Sequence, residues 1–185
     1  MTMKENRRVM QTRRLLAGAL LKMLKTTPLH AVSIRELCRE AGINRTTFYN
    51  HYGSQYELLD DISRRFLDAI AERLDSADAA DRESVHQRVT MVLAFIEENR
   101  ELAMLLINNS IDPGFAERIF TLPKIGDLLG AALAHCQDEG LREATVSFVI
   151  HGSYRLLQEW INREERLPPQ QQTELMLGLA RRVCG

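Results

Sequence analysis

The sequence lacks the features of disulfide-rich, metal-binding, membrane-spanning and secreted proteins. Its three cysteines, Cys38, Cys136 and Cys184, are odd in number and scattered, so they form neither a disulfide framework nor a CxxC metal motif. No apolar run is longer than the six residues from Leu102 to Ile107, far short of the ~20 needed to span a bilayer. The basic N-terminal segment lacks the pattern of a signal peptide. These absences predict a soluble cytoplasmic protein that needs no disulfide, metal or cofactor.

Net charge is also nearly absent over the whole chain, because 24 Lys and Arg oppose 25 Asp and Glu. The two parts of the chain nevertheless differ, since residues 1–56 hold ten basic and three acidic residues. The net charge is therefore +7 for residues 1–56 and −8 for residues 57–185. This split is typical of a protein whose N-terminal module binds a polyanion. A basic face that is simply solvated is the alternative.

Ten glycines and five prolines interrupt the chain at few points, and no stretch shows sustained period-2 alternation. The sequence therefore predicts an all-α fold of about nine helices. We expect a three-helix helix-turn-helix DNA-binding domain at residues 1–53 and a larger helical regulatory and dimerisation domain at residues 54–185. The helices are predicted at residues 6–24, 34–41, 44–50, 54–74, 84–99, 101–108, 123–137, 143–163 and 169–183, with a further helix start at Asp112-Pro113.

Local signals mark the helix ends in the N-terminal module. Ser-x-x-Glu capping boxes start at Ser33 and Ser54, where the serine side chain accepts from the N–H three residues on and the glutamate caps the serine N–H. Gly42 lies where the chain needs a positive φ to reverse, and Asn44 can cap the next helix. Two short helices joined by such a turn are typical of a helix-turn-helix, whose second helix enters the DNA major groove. An ordinary polar helical hairpin is the alternative.

The second short helix presents a polar face that suits nucleic acid. Phe48 is its one large inward residue, and the other side chains are predicted to face out. Arginine can bind guanine, asparagine can bind adenine, and Thr, Tyr and His can contact a thymine methyl or phosphates. The outward residues are Arg45, Thr46, Thr47, Tyr49, Asn50 and His51.

The segment Ser33 to Tyr52 resembles the DNA-binding domain of the TetR family of bacterial transcriptional regulators. The resemblance rests on the Ala-Gly-Ile turn at 41–43, the Thr-Phe-Tyr-x-His motif at 47–51 and the Ser-x-x-Glu-Leu cap at 54–58. It implies a homodimer that binds a pseudo-palindromic double-stranded DNA operator. It also implies a helical domain that binds a small-molecule effector of unknown identity and dimerises through its last two helices.

A repressor is the expected role, because that is the usual one in the family, and the chain is not expected to be an enzyme. The alternative is a DNA-binding protein of the same fold without a small-molecule effector, acting as an activator or under the control of a protein partner. An all-α enzyme is a third possibility that the sequence disfavours, because it holds no nucleophile and base at an interpretable spacing.

The resemblance also implies roles for individual residues. Positions that usually read bases correspond to Arg35, Arg45, Thr46 and Asn50. Positions that usually contact phosphates correspond to Thr47, Tyr49 and His51. Gln55 stands where the family commonly has Lys, so we expect Arg7, Arg8 and Arg13 to add phosphate contacts from the N-terminal arm and the first helix.

The C-terminal region gives weaker signals. A helix over residues 148–161 is apolar on two faces, which predicts burial on two sides, against its own core and against a second subunit. A central helix of a monomer is the alternative. The predicted dimer interface comprises Gly152, Ser153, Leu156, Trp160, Leu175, Leu179 and Val183.

An effector pocket is predicted between the fourth to eighth helices. Its candidate lining residues are Met91, Phe95, Met104, Phe120, Phe148, His151, Tyr154 and Arg155. Ordinary core packing is the alternative for these side chains. The histidines show no HxxxH or HExxH spacing, so no metal site is expected.

Overall fold

A computed structural model describes residues 3–75, 82–108, 111–112, 114–125 and 138–184. These residues form helices joined by turns and contain no strand, which confirms the predicted all-α fold with an N-terminal helix-turn-helix. The helices are α1 (Met3–Leu24), α2 (Ile34–Ala41), α3 (Arg45–Tyr49), α4 (Gln55–Asp75), α5 (Arg82–Glu98), α6 (Arg100–Ile107), α7 (Phe115–Phe120), α8 (Glu139–Asn162) and α9 (Pro169–Cys184). Residues 123–125 are also helical, and the rest of the helix predicted at 123–137 lies outside the described residues.

The chain divides into two compact units, Met1–Phe66 and Leu67–Gly185, with the division inside α4. The domain boundary predicted at 53/54 stays a prediction. In the first unit α2 packs on α1 and α3 packs on α2. Because α2 and α3 are short, they depend on an apolar core shared with α1 and α4. Its fully buried side chains are Leu16, Leu20, Leu37, Phe48 and Leu58.

In the second unit α9 packs against α5 and α8, and α6 packs against α5, α7 and α8. Polar contacts hold the connection between α8 and α9 to this core. The Trp160 indole donates to the Leu167 carbonyl at 2.8 Å, and Arg166 pairs with Glu97 at 3.1 Å. The fully buried side chains of this unit include Ile96, Leu106, Ile107, Phe115 and Ile161.

Several predicted helix starts differ from the structure by one to four residues. Helix α1 begins at Met3, three residues before the predicted start. Helix α8 begins at Glu139 rather than at residue 143, because the Asp138 carboxylate accepts from the Leu141 N–H at 2.9 Å. Gly140 therefore lies in the first turn of α8.

The start predicted at Asp112-Pro113 is also wrong. Helix α7 begins at Phe115, with Gly114 before it. The Asp112 carboxylate forms an ion pair with Arg118 instead of capping the helix. Pro113 lies outside the described residues.

The two capping boxes form with a different second bond. In both, the serine side chain accepts from the N–H three residues on, at 3.2 Å for Ser33 and 3.3 Å for Ser54. The Glu36 carboxylate accepts from the Ser33 hydroxyl at 2.9 Å, and the Glu57 carboxylate accepts from the Gly53 N–H at 2.8 Å. Neither bond is the predicted one to the serine N–H, since each glutamate carboxylate binds another donor.

Candidate nucleic-acid interface

The turn between α2 and α3 gives the two helices their relative direction. Gly42 has φ 65, the left-handed conformation predicted for it, and its N–H donates to the Arg39 carbonyl at 3.2 Å. The Ile43 N–H then donates to the Cys38 carbonyl at 2.9 Å. This pattern closes the end of α2 and lets the chain reverse.

Helix α3 is held at its start and in its middle. The Asn44 side chain accepts from the Thr46 N–H at 2.8 Å, which confirms the predicted cap. The Phe48 ring is fully buried, with its centroid 5.4 Å from that of Tyr49 and 6.0 Å from that of Tyr52. Helical hydrogen bonding continues past α3, because the Tyr52 N–H donates to the Phe48 carbonyl at 2.9 Å.

The side chains of this segment form four rows of helical i, i+4 neighbours. Two rows are exposed, Arg45 with Tyr49 and Thr46 with Asn50. The row of Thr47 and His51 is half-buried, and the row of Phe48 and Tyr52 is buried. The Arg45 guanidinium lies 6.0 Å from the Tyr49 ring centroid, so the first row is a continuous surface. The structure thus brings three of the predicted base-reading residues onto one exposed face of α3.

The other predicted DNA contacts come from α1 and α2. Arg7 and Arg8 are exposed on α1, and Arg35 is exposed near the start of α2. Arg13 is different, because it is half-buried and its Nε atom is buried without a hydrogen-bond partner among the described residues. The buried Nε atom places this part of the guanidinium in the interior of the unit, and the Arg13 charge helps to lower the pKa of Asp61.

Behind α3 lies a polar cluster around a buried carboxylate, which sequence reasoning did not find. Asp61 of α4 is 6% exposed, and Tyr52 donates to its carboxylate at 2.8 Å. Arg65 donates to the same carboxylate at 2.9 Å, and Arg64 also pairs with it. We name Arg13, Tyr52, Asp61, Arg64 and Arg65 the Asp61 cluster. Tyr52 and Asp61 are nine positions apart in the chain and lie on either side of a turn, so the sequence offers no signal for this pair.

The cluster alters the ionisation of both partners of its central hydrogen bond. Burial raises the pKa of Tyr52 to about 12, and the hydrogen bond to Asp61 and the carboxylate charge act in the same direction. Burial also opposes ionisation of Asp61, but hydrogen bonds from Tyr52 and Arg64 outweigh it and hold the pKa of Asp61 below its ordinary value. Asp61 is therefore a buried carboxylate that stays charged.

In the second unit the predicted pocket residues do not line one enclosed cavity among the described residues. Met91, Phe148, His151 and Arg155 are exposed, and Phe95, Met104 and Tyr154 are half-buried. The side chain of Phe120 lies outside the described residues. The Arg73 guanidinium covers the Phe95 ring at 4.0 Å, and the Tyr154 hydroxyl donates to the Ile107 carbonyl at 2.5 Å. An open polar cleft of about 500 Å³ is lined by Asn108, Arg155, Gln158, Glu159, Asn162 and Arg163, so only Arg155 of the eight predicted residues contributes to it.

The predicted dimer residues differ in exposure. Leu175, Leu179 and Val183 form an exposed apolar row along α9. On α8, Gly152 is exposed, Ser153 and Leu156 are half-buried, and Trp160 is 3% exposed. Trp160 therefore packs within its own unit. Leu141 and Phe148, which were not assigned to this surface from the sequence, are exposed apolar residues of α8.

Comparison with protein families identifies this architecture. The family described as "Bacterial regulatory proteins, tetR family" matches residues 16–62. The family described as "Transcriptional regulator C-terminal region" matches residues 83–182, which are more than half of the chain. The chain belongs to the TetR family. It is a DNA-binding transcriptional regulator, as the sequence motifs predicted.

Individual relatives of this TetR-family chain are distant. The HTH-type dhaKLM operon transcriptional activator DhaS of Lactococcus lactis subsp. lactis (strain IL1403) is 28% identical over 89 residues, which are 48% of this chain and 45% of DhaS. The match thus spans less than half of that relative.

Solved structures resemble the TetR-family chain over nearly its whole length. A TetR transcriptional regulator from Streptococcus agalactiae 2603V has a TM-score of 0.69 at 17% identity, covering 97% of this chain and 99% of that one. The dihydroxyacetone kinase operon activator DhaS has a TM-score of 0.60 at 20% identity, covering 91% and 93%. At these identities the likeness shows the fold alone.

Within the described part of this TetR-family chain, no three His, Cys, Asp or Glu residues lie close enough to hold a metal ion. No described helix is both long and apolar enough to cross a membrane.

Proposed function

We propose that the chain binds a pseudo-palindromic operator in the cytoplasm as a homodimer, with one α3 helix of each copy in the major groove, and represses the adjacent genes. The exposed face of α3 carries this proposal. Arg45, Thr46 and Asn50 offer base-edge donors and acceptors, and Phe48 anchors the helix beneath them. Two such helices on a palindrome lie one helical turn apart, ~34–36 Å, or a multiple of it.

The roles proposed for the polar residues follow from their chemistry and placement. Base reading is assigned to Arg35, Arg45, Thr46 and Asn50. Phosphate contacts are assigned to Arg7, Arg8, Thr47, Tyr49 and His51. Because the N-terminal module carries a net +7 charge, its affinity for DNA is expected to fall steeply as salt is added.

The homodimer is proposed to form through α8 and α9. The apolar row Leu175, Leu179 and Val183 is exposed on α9, and Phe148 on α8 is 65% exposed. An exposed apolar surface of this kind is typical of a subunit interface. The small residue Gly152 allows a second helix to approach closely.

The dimer is tested with a charge in the proposed interface. Leu179→Glu is expected to sediment as a monomer and to lose operator affinity, whereas the wild type sediments as a dimer. Gln170→Glu is the matched control, because it adds the same charge to the opposite face of α9. If both variants sediment like the wild type, the interface is wrongly assigned.

A small-molecule effector is proposed to act on the second unit and to change operator affinity. Helix α4 supports this, because it runs from the first unit into the second and can carry a change in its tilt to the DNA-binding helices. A coupling of only ~1–3 kcal/mol is sufficient. The eight predicted pocket residues remain the proposed contact set.

DNA binding is tested by fluorescence anisotropy with the DNA that flanks the chain's own gene. Binding to a pseudo-palindrome at ~50 mM salt, weakening steeply as salt rises, is the expected result. Tyr49→Ala should weaken binding to all sequences, whereas Asn50→Ala should relax the preference at one base position. Absent or salt-independent binding contradicts the proposal.

An activator is the second candidate, because the partly matching relative DhaS is named a transcriptional activator. The two roles make opposite predictions for a reporter placed behind the bound promoter. Deletion of the regulator raises expression if it represses and lowers expression if it activates.

A further inference from the structure

The Asp61 cluster joins three helical segments of the first unit. Tyr52 follows α3 and donates to Asp61 of α4 at 2.8 Å. Arg13 of α1 adds its charge to the same site. Because Asp61 is 6% exposed, its carboxylate depends on these partners rather than on water for stabilisation.

Helix α3 is too short to hold a fixed orientation alone. It spans only Arg45–Tyr49, and a helix of that length is unstable without tertiary contacts. Its start is tied to the turn by Asn44, and its middle is anchored by Phe48. The remaining tie is at its end, where the Tyr52 N–H bonds the Phe48 carbonyl and the Tyr52 hydroxyl bonds Asp61.

We propose that Asp61 is a positioning residue for DNA recognition, which fixes the orientation of α3 against α4 through the hydroxyl of Tyr52. Asp61 itself touches no DNA in this arrangement. The inference rests on the operator binding proposed above. It assigns a role to a residue outside the helix-turn-helix motif.

Loss of this positioning should affect sequence-specific DNA binding more than non-specific DNA binding. Base-edge hydrogen bonds need side chains held to within about 0.5 Å and 10–20°. Phosphate contacts and counterion release depend mainly on charge and tolerate a small rotation of α3. A loosened α3 should therefore lose operator affinity while it keeps most of its affinity for random DNA.

The experiment compares the full chain with Tyr52→Phe and Asp61→Asn. Tyr52→Phe keeps the buried ring and the net charge but removes the hydroxyl, and Asp61→Asn keeps the side-chain shape. Ser63→Ala is the matched control, because Ser63 is a fully buried residue of α4 whose hydroxyl has no hydrogen-bond partner among the described residues. Urea unfolding curves identify conditions in which every variant is folded. Anisotropy then measures affinity for an operator selected from a randomised duplex library and for a random duplex.

The ratio of operator to random-DNA affinity is expected to fall about three- to tenfold in Tyr52→Phe and Asp61→Asn, the range for loss of one hydrogen bond. Ser63→Ala should keep the wild-type ratio. An unchanged ratio in folded Tyr52→Phe overturns the inference, as does an equal loss of both affinities. If Asp61→Asn does not fold, Tyr52→Phe decides alone. If the wild type selects no operator, the proposed function fails and the inference fails with it.

Discussion

The side-chain oxygen of Asn44 accepts a 2.8 Å hydrogen bond from the backbone N–H of Thr46, which ties the turn to the first residues of α3. Without it, one backbone donor at the start of a very short helix loses its partner. We expect Asn44→Ala to lower the free energy of unfolding by about 1 kcal/mol and to weaken operator binding. Urea unfolding and anisotropy measure the two effects.

The control for this prediction keeps an acceptor at the same position. Asn44→Ser should unfold close to the wild type, since Ser and Asn are similarly good at helix N-termini. Equal midpoints for Asn44→Ala and Asn44→Ser would show that the cap does not stabilise α3.

The left-handed conformation of Gly42 makes a second prediction. A Cβ added there meets no atom within 4 Å, so substitution acts on the backbone alone. Gly42→Ala should destabilise the chain by about 1–2 kcal/mol, because φ is 65. Gly18 in α1 also has nothing within 4 Å of an added Cβ, but it lies in a helix. Gly18→Ala should therefore stabilise the chain. If urea unfolding shows that both substitutions raise the free energy of unfolding, or that both lower it, the explanation by backbone conformation is wrong.

Arg13 and Arg8 are expected to differ in their effects on DNA binding. Arg8 is exposed, whereas Arg13 is half-buried, with its Nε atom buried. Arg8→Gln should reduce the slope of log affinity against log salt by about 0.9 per chain, the effect of one lost phosphate contact. Arg13→Gln should leave the slope unchanged and lower the stability instead. A reduced slope in Arg13→Gln would assign this residue to phosphate binding after all.

The raised pKa of Tyr52 predicts a loss of stability at high pH. Its pKa is about 12 in the folded chain against an ordinary 10.0, so the folded state resists its ionisation. The stabilisation is complete below pH 10 and is lost as pH rises through 12. Burial raises the pKa of Tyr154 to about 12 as well, so both tyrosines contribute.

Urea unfolding at a series of pH values measures this loss, and Tyr52→Phe should flatten it in part. Absorbance of tyrosinate in the folded chain should show one fewer late-ionising tyrosine in that variant. Identical pH dependence in the wild type and Tyr52→Phe would contradict the buried hydrogen bond.

Most of the helix-turn-helix could be predicted from the sequence, because its signals are local. The Gly42 turn, the Asn44 cap and the buried Phe48 each depend on residues within about one helical turn of one another. The starts of α7 and α8 were predicted wrongly because the local signals at these helix ends are ambiguous. Several polar groups near a helix start compete for few partners, and a carboxylate such as that of Asp112 takes an arginine when one lies within reach.

In the candidate nucleic-acid interface, too, some features could be predicted from the sequence and others could not. The outward set on α3 follows from the inward direction of Phe48 and the helical period, so the sequence was sufficient to predict it. The assignment of Arg13 to phosphate came from its charge and its place in the basic segment. Its partial burial depends on tertiary packing, which no spacing in the sequence reports.

The sequence by itself determined the all-α fold, the turn at Gly42 and the polar face of α3, because each depends on neighbours along the chain. Only the tertiary structure decided the pairing of Tyr52 with Asp61 and the depth of each apolar row. Phe148 and Trp160 lie on the same row of α8, yet the first is 65% exposed and the second 3%. A helical period places residues on a face, but how much of that face is covered depends on which other helices pack against it.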